Sequence, residues 1–471
     1  MAADPEVNAI CFDSRKVGEG SCFVAQVGTR VDGHEYIDTA VRQGAMAVVC
    51  QQLPKVQKEG VAYVLVENSD SALGMMADNY YGHPSRHLQL VGITGTNGKT
   101  TTVTLLHRMF REAGYHAGLL STIVNKIDEE EIPSTHTTPD ALELNALLHR
   151  MVDAGCKYAF MEVSSHAVVQ NRIAGLTFAG GIFSNITHDH LDFHKTMANY
   201  IAAKKMFFDQ LPKGAFAITN IDDRNGRVMV QNTRAKVCTY SLQTMADYHC
   251  RVMEDTFQGM LIEINGKELW TRLVGRFNAY NLTAIYATAR CLGMEEGEAL
   301  RLLSGLEAAE GRFQYVSGKG VTAIVDYAHT PDALQNVLSS INDIRKPQQN
   351  LITVVGCGGD RDKTKRPEMA HIACEMSDQL VLTSDNPRTE NPDSILDDME
   401  RGLTAKELSR TVRITDRRQA IRAAVMMARE GDIILVAGKG HEKYQDAGGV
   451  KHHFDDREEL ETMLTTEPLN P

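Results

Sequence analysis

Gly95-Thr96-Asn97-Gly98-Lys99-Thr100-Thr101 lies between a short apolar run, Leu88-Gln89-Leu90-Val91-Gly92-Ile93, and a helix-like stretch over 100–113. Such a setting suits a loop that binds phosphate. Glycines let backbone N–H groups close on phosphate oxygens, and the start of a helix favours negative charge. Lys99 would reach the β- and γ-phosphates of ATP, and the Thr100 hydroxyl would take Mg²⁺. The spacing is G-x-x-G-K-T, tighter than G-x-x-x-x-G-K-[ST], because Ile93 stands where the longer motif has its first glycine. The alternative is a Gly-rich turn with an incidental lysine. Strand, loop and helix in succession favour ATP binding.

Glu162 lies near the end of the apolar run Tyr158 to Val163, just before Ser164-Ser165-His166. In an open parallel sheet, ligands sit at the carboxyl ends of strands. A carboxylate there is a candidate Mg²⁺ ligand, or a capping or salt-bridged residue. Asn185-Ile186-Thr187-His188-Asp189-His190-Leu191-Asp192-Phe193-His194 follows another strand-like run. Its density of His and Asp suggests a metal or phosphate site, and no thiolate spacing supports zinc. Lys204-Lys205, in a helix-like stretch, reads from the residues alone as a solvated pair. Asp326 and His329 end a strand, and composition does not promote them further. Three more strand ends carry Gly356-Cys357-Gly358-Gly359-Asp360-Arg361, Asp385-Asn386-Pro387-Arg388 and Gly438-Lys439-Gly440-His441-Glu442. Together they offer Arg361, Arg388 and Glu442, a set that complements a group bearing both carboxylate and ammonium. The planar fork of arginine is suited to the carboxylate.

The elements that must position these groups can be read from the same chain. At roughly 150 residues per domain, 471 residues predict about three domains. Residues 1–88 alternate short apolar runs (Cys22 to Ala25, Ala45 to Val49, Ala62 to Val66) with turns and read as a small α/β domain. Residues 89–313 alternate strand-length runs with helical spacing, which predicts a mostly parallel sheet covered by helices. Residues 314–471 restart the alternation at Val321, Leu351, Gln379 and Ile433, with helices expected over 331–344, 392–402 and 416–429, a Rossmann-like arrangement. The stretch after Lys451 reads as a solvated tail or a final helix. The expected class is α/β in three domains.

Composition excludes several functions. Lys plus Arg number 49 and Asp plus Glu 61, a formal charge of −12 that argues against a general nucleic-acid binder. No apolar run is long enough to span a bilayer. The first six residues lack a basic n-region and an apolar h-region, so no secretory signal is expected. Nine cysteines form no C-x-x-C pair, and the number is odd. Buried thiols in a reducing compartment are the expectation, hence a cytoplasmic location.

Taken in order, Gly95–Thr101, Glu162–His166, Asn185–Asp192, Asp326–Pro331, Gly356–Arg361, Asp385–Arg388 and Gly438–Glu442 resemble the motifs of the Mur ligases, ATP-dependent amide-forming enzymes of peptidoglycan synthesis. The resemblance spans essentially the whole chain. It implies UDP-N-acetylmuramoyl-L-alanyl-D-glutamate, ATP and meso-diaminopimelate as substrates. The first domain would hold the UDP end through Ser14, Thr29 and Arg30. The central domain would bind ATP through Gly95, Thr96, Asn97, Gly98, Lys99, Thr100 and Thr101, with Asn281 and Arg312, while Asp326 and His329 reach the nucleotide from the third domain. Thr100 and Glu162 match ligands of one Mg²⁺, and Glu162 and His190 those of a second. Lys204 matches a carbamylated lysine, in which CO₂ converts a cation into an anion that helps hold Mg²⁺; only the resemblance gives it this role. Thr137, Thr138, Ser164, Gln170 and Arg172 match contacts to the muramoyl-dipeptide. Arg361, Asp385, Asn386, Pro387, Arg388, Gly438 and Glu442 match the site of the incoming amino acid. The D-N-P-R motif resembles the diaminopimelate version, since Arg388 can pair with a distal carboxylate that lysine lacks. The D-S-R segment at Asp13 stands earlier than the family pattern has it, which bears on the uracil contacts. A monomer is expected. A lysine-adding ligase, a folylpolyglutamate synthetase and a non-catalytic nucleotide-binding regulator are the alternatives.

Overall fold

The computed structural model describes residues 5–28, 31–134, 136–187, 189 and 191–465, the side chains of Leu191 and Asp192 excepted. Three main sheets follow one another along the chain. The first has four parallel strands, Ala9–Cys11, Ser21–Val24, Ala45–Cys50 and Ala62–Leu65.

The central sheet has eleven strands. Its core runs parallel in the order Lys236–Ser241, Phe216–Asn220, Gly180–Phe183, Gln89–Thr94, Tyr158–Glu162, Ala117–Leu120. Apart from Lys236–Ser241, which begins exposed, these strands are mostly apolar because both faces are covered, the usual condition of a parallel sheet. Val91 and Ile93 pack among residues of helices Lys99–Glu112, Arg276–Cys291 and Glu296–Gly305. Leu90 and Ala159 pack among residues of helices Ala141–Asp153 and Met197–Asp209. The sheet is extended at both ends: by antiparallel Val124–Ile127 and Glu130–Pro133 at one, and at the other by Tyr248–Thr256, parallel to Lys236–Ser241, followed by antiparallel Gly259–Ile264 and Lys267–Thr271. The sequence does not lead one to expect these flanks, yet Met260, Ile262 and Ile264 show the period-two burial of a one-faced strand.

The third sheet orders its strands Gln314–Gly318, Val321–Asp326, Ile433–Ala437, Leu351–Val355, Gln379–Leu382, Thr411–Arg413, and only the first is antiparallel to its neighbour. Apolar clusters lie on both of its faces. The expected helices are present as Pro331–Ile344, Pro392–Glu400 and Arg417–Met427. The observed class is therefore the expected one.

The segment after Lys451 is a final helix rather than a solvated tail. Helix Asp456–Thr465 buries Leu460 and Leu464, one turn apart on one face. It is also anchored by charge: Arg417 Nε and Nη2 each donate to Asp456 at 2.7 Å, with both side chains fully buried. Arg417 Nη2 donates as well to the Ala437 carbonyl at 3.0 Å, which ties the pair to a site-bearing strand. Removing one partner of a buried pair leaves an uncompensated charge and costs about 3–5 kcal/mol. Asp456→Ala is expected to lower stability by that amount in urea denaturation; a loss below about 1 kcal/mol would contradict this anchoring.

Candidate active site

Strands Gln89–Thr94, Tyr158–Glu162 and Gly180–Phe183 are adjacent and parallel, with Ile93 level with Glu162 and Phe183 level with Thr94. Their carboxyl ends therefore bring the Gly95 loop, Glu162 to Ser164 and the Asn185 segment to one edge. The loop is strapped to that segment by Thr96 N–H to the Asn185 carbonyl at 2.8 Å and Asn97 N–H to Asn185 Oδ1 at 2.9 Å. Gly98, with φ 85°, caps helix Lys99–Glu112, and a Cβ there would lie 2.5 Å from Asn281 Oδ1. Glycine is thus required both by conformation and by the approach of Asn281.

Lys99 Nζ donates to the carbonyls of Gly95 (3.0 Å) and Thr96 (2.7 Å). Burial lowers its pKa, against the pull of Glu162 and Asp189. Glu162 is 1% exposed, and its Oε1 accepts from Thr100 Oγ1 and from Thr122 N–H, each at 2.8 Å. The Glu162 carbonyl accepts from Thr138 Oγ1 at 2.8 Å. Thr138 Oγ1 in turn accepts from Ser164 N–H at 3.1 Å, and Ser164 Oγ caps helix Ser165–Val169. Arg172 donates to the Thr138 carbonyl at 2.7 Å and to Gln170 Oε1 at 2.6 Å, while Thr122 Oγ1 donates to Thr137 Oγ1 at 3.1 Å. Thr137, Thr138, Ser164, Gln170 and Arg172 therefore form one polar wall beside Glu162.

Lys204 departs from the solvated pair that the residues alone suggest. It is 1% exposed and its Nζ donates to the Gly95 carbonyl at 2.7 Å, the same oxygen that Lys99 reaches. The Tyr200 ring lies 4.7 Å from it. Burial and the Lys99 charge push its pKa well down, with Asp189 opposing. Lys205, off the apolar stripe, pairs with Asp209 at 2.6 Å. His194, part of the His-rich segment, is a core residue bonded to Ser165 Oγ at 2.8 Å. His190, Thr29 and Arg30 lie outside the described residues. Ser14 opens a short turn capped by Asp13 in the first sheet's region, away from the groups just described in the hydrogen-bond network.

Groups from the third sheet reach this edge. Arg312 Nη2 donates to Thr100 Oγ1 at 3.2 Å, and its guanidinium stacks 4.7 Å from the Tyr327 ring centre. Asp326 is buried and accepts from Phe313 N–H at 2.7 Å and Ala328 N–H at 2.8 Å, so it fixes the backbone on which Arg312 sits. His329 is exposed, with Nδ1 2.9 Å from the Tyr327 carbonyl. Asp332, at the start of helix Pro331–Ile344, accepts from Asn97 Nδ2 at 2.6 Å and Thr187 Oγ1 at 3.1 Å. Sequence reading passes over Asp332, and only its place in the first turn of a helix could have drawn notice.

Three strand ends of the third sheet build a second cluster. Asn386 Nδ2 donates to Glu442 Oε2 at 2.7 Å. Lys439, 0% exposed, donates to Asn386 Oδ1 at 3.0 Å and lies 3.4 Å from Glu442 Oε2 and 4.0 Å from Asp385 Oδ1. Burial and Asp385 raise the Glu442 pKa, and Lys439 opposes that shift. Gly438 has φ 113°, and a Cβ there would lie 2.6 Å from Asp385 Oδ2. Lys439 has no role in the sequence reading; a lysine between two glycines at a strand end was the available signal. Arg388 Nη1 donates to the Gly359 carbonyl at 2.7 Å, and its own backbone bonds Asp446 and Gly448. Its φ of 51° is a left-handed conformation costly for a non-glycine residue, a feature that concentrates at functional sites. Pro387 is buried behind it, and Arg361 is exposed on the neighbouring loop.

That loop has its own support. Arg366, fully buried, donates to Glu390 at 2.8 Å, to Asp398 at 2.8 Å and to the Gly358 carbonyl at 3.3 Å. Arg366 and Lys363 hold the Glu390 carboxyl down from 4.5 to about 2. A depressed carboxylate adds stability that is complete above its unfolded pKa and lost as pH falls through the folded one. The stability gap between the native chain and Glu390→Gln is therefore expected to shrink between about pH 5 and pH 2, as followed by urea midpoints. A gap that stays constant or widens on acidification would contradict the pairing.

The two clusters share a wall. Arg312 touches Thr100 on one side and Tyr327 on the other, and the Tyr327 ring lies 4.8 Å from that of His441, next to Glu442. Burial and the Arg312 charge push His441 down to about 3, so it stays neutral near neutrality. Hydroxyl and carboxylate oxygens at Thr100 and Glu162, beside a glycine loop, suit a hard cation such as Mg²⁺.

Three family models match the chain: Mur ligase family, catalytic domain, over residues 6–81; Mur ligase middle domain over 93–289; and Mur ligase, glutamate ligase domain, over 311–440. The chain belongs to the Mur ligase family. The UDP-N-acetylmuramoyl-L-alanyl-D-glutamate--2,6-diaminopimelate ligase of Parabacteroides distasonis is 55% identical over 469 residues, covering 99% of this chain and 96% of that protein. The ligase of the same name from Cytophaga hutchinsonii is 56% identical over 465 residues, covering 98% and 96%. A solved structure of a UDP-N-acetylmuramoyl-L-alanyl-D-glutamate--2,6-diaminopimelate ligase is 32% identical, with a TM-score of 0.70 over 97% of this chain and 94% of that one. Among the described residues no helix is long and apolar enough to cross a membrane.

Proposed function

We propose that this chain joins meso-diaminopimelate to the D-glutamate side-chain carboxylate of UDP-N-acetylmuramoyl-L-alanyl-D-glutamate, at the expense of ATP, in peptidoglycan precursor synthesis. The observation that carries the reading is the shared wall: one guanidinium, Arg312, joins the loop that suits phosphate to the cluster that suits a zwitterion. The names and near-complete coverage of the relatives support the same substrates.

In this reading the divisions fall near residues 88 and 313. Residues 1–88, with Ser14, Thr29 and Arg30, hold the UDP end. Gly95 to Thr101, Asn281, Arg312, Asp326 and His329 hold ATP. The dipeptide carboxylate lies along Thr137, Thr138, Ser164, Gln170 and Arg172 and attacks the γ-phosphorus, releasing ADP. Lys99 exchanges its loop carbonyls for phosphate oxygens and offsets charge there, since phosphoryl transfer is catalysed mainly by position and electrostatics. The amine of diaminopimelate then attacks the acyl phosphate carbon and expels phosphate. Closure of the third sheet onto the loop keeps water from the acyl phosphate. Mg²⁺, when bound, neutralises charge between carboxylate and phosphates; Thr100 and Glu162 would hold one ion, and Glu162, His190 and carbamylated Lys204 another. Carbamylation needs a neutral amine, and the burial of Lys204 beside Lys99 favours that form.

Arg388 and Arg361 receive carboxylates of the acceptor. Asp385 and Glu442 set two carboxylates against one ammonium, Lys439, which leaves a surplus negative charge for the distal ammonium. A lysine acceptor would lose its partner for Arg388. The enzyme works in the cytoplasm as a monomer.

Phosphate release with UDP-muramoyl-dipeptide and ATP, measured with diaminopimelate and with lysine, tests the reading. Turnover with diaminopimelate far above that with lysine is expected. Comparable turnover with lysine would reassign the acceptor, and ATP binding without amide product would leave a regulator.

A further inference from the structure

Far along the helix from Asn281, two thiols face each other outside the site described above. Cys238 lies on strand Lys236–Ser241 and Cys291 ends helix Arg276–Cys291, and their sulfurs are 3.7 Å apart. Cys238 lines a cavity of about 300 Å³ together with Lys236, Asp247, Tyr248, Arg290 and Glu296, and Cys291 lies behind it. Tyr248 Oη is 3.9 Å from Cys291 Sγ. We propose that Cys238 and Cys291 form a redox-reactive dithiol site that takes a small hydroperoxide as its oxidant and closes to a disulfide.

Three features set this pair apart from the other thiols. Cys238, although buried in the same apolar cluster as Cys250, lines a cavity that admits a small molecule, and neither Cys250 nor Cys357 lines it. Lys236, on the cavity wall, favours a thiolate at Cys238, against the opposing charge of Asp247. The hydrogen bond between the sulfurs brings the Cys238 pKa down and, with burial, pushes that of Cys291 up, which casts Cys238 as the attacking thiolate; burial pushes those of Cys22, Cys50, Cys156, Cys250 and Cys357 up as well. Closing from 3.7 Å to a bonded separation of about 2.05 Å needs a small side-chain shift.

The chemistry balances. The Cys238 thiolate attacks one peroxide oxygen; the S–O bond forms, the O–O bond breaks, and hydroxide leaves to take up a proton. Cys291 then attacks the sulfur of the sulfenic acid, the S–S bond forms, the S–O bond breaks, and water leaves with the Cys291 proton. One hydrogen peroxide is reduced to two waters (an organic hydroperoxide to one alcohol and one water), and two thiols are oxidised to one disulfide.

The test uses the full chain treated with hydrogen peroxide, quenched with iodoacetamide and mapped by non-reducing peptide mass spectrometry. A Cys238–Cys291 linked peptide is expected, forming at least about 10-fold faster than oxidation of any other cysteine and reversed by dithiothreitol. Cys291→Ser is expected to stop at a Cys238 sulfenic acid trapped by dimedone. Oxidation spread evenly over the cysteines, a different linked pair, or both thiols still alkylated after peroxide treatment would overturn the proposal. The mapping is done on the unsubstituted chain, so it stands even where a variant fails to fold, and it is independent of ligase activity.

Discussion

Lys99→Ala is expected to lower kcat by about 10³-fold, roughly 4 kcal/mol of barrier, while the variant keeps its fold and its affinity for UDP-muramoyl-dipeptide. The ammonium is the one cation the glycine loop itself supplies, and it sits at the start of helix Lys99–Glu112 within reach of that loop's carbonyls. Its loss removes charge compensation at the moment the carboxylate attacks phosphorus, when three anionic groups converge. It leaves the Thr137, Thr138 and Arg172 wall intact, because none of those side chains bonds Lys99. Steady-state kinetics with calorimetry for the dipeptide substrate separates the effects. A kcat within about 10-fold of the unsubstituted enzyme would place the phosphate elsewhere. Loss of dipeptide binding in parallel would point to a structural role.

Arg388→Ala is expected to cut kcat/KM for diaminopimelate by about 10²-fold or more, chiefly through KM, since truncating one partner of a buried charge pair costs roughly 2–5 kcal/mol. Turnover with lysine should change little, so selectivity collapses. The backbone of Arg388 is held by Asp446 and Gly448 whatever its side chain, and alanine therefore removes the fork without freeing the loop. Arg388→Lys keeps the charge but not the planar fork and should fall between. A diaminopimelate kcat/KM within about 3-fold of the original would mean that another group reads the distal carboxylate.

What the sequence reveals and what it hides have physical causes. The loop at Gly95 is legible because its glycines, lysine and threonine follow a strand and open a helix, and local order alone defines the geometry. The parallel strands are legible because burial on both faces leaves continuous apolar runs. Lys204 is hidden because a lysine in a helix is ordinarily solvated. Yet it lies on the stripe Tyr200, Ala203, Phe207, Phe208, all buried, whereas Lys205 falls off it. Helical period would have separated the two. Lys439 is hidden for a similar reason: Glu442 is near it in sequence, but Asp385 and Asn386 stand more than 50 residues earlier and reach it only when two strand ends meet. The choice between a final helix and a solvated tail stays open in the sequence because those ten residues carry many charges. Leu460, Leu464 and the buried Asp456 dock it, and the partner of Asp456 stands 39 residues earlier.

The central claim is that the dipeptide's own carboxylate oxygen becomes bonded to the γ-phosphorus before the amide forms. Substrate carrying ¹⁸O in both oxygens of the D-glutamate side-chain carboxylate tests it most directly. Mass spectrometry of the products should find one ¹⁸O in each inorganic phosphate released and the other in the new amide carbonyl. Amide formation that yields only unlabelled phosphate would contradict the acyl phosphate and the placing of Lys99, Glu162 and Arg312 around it.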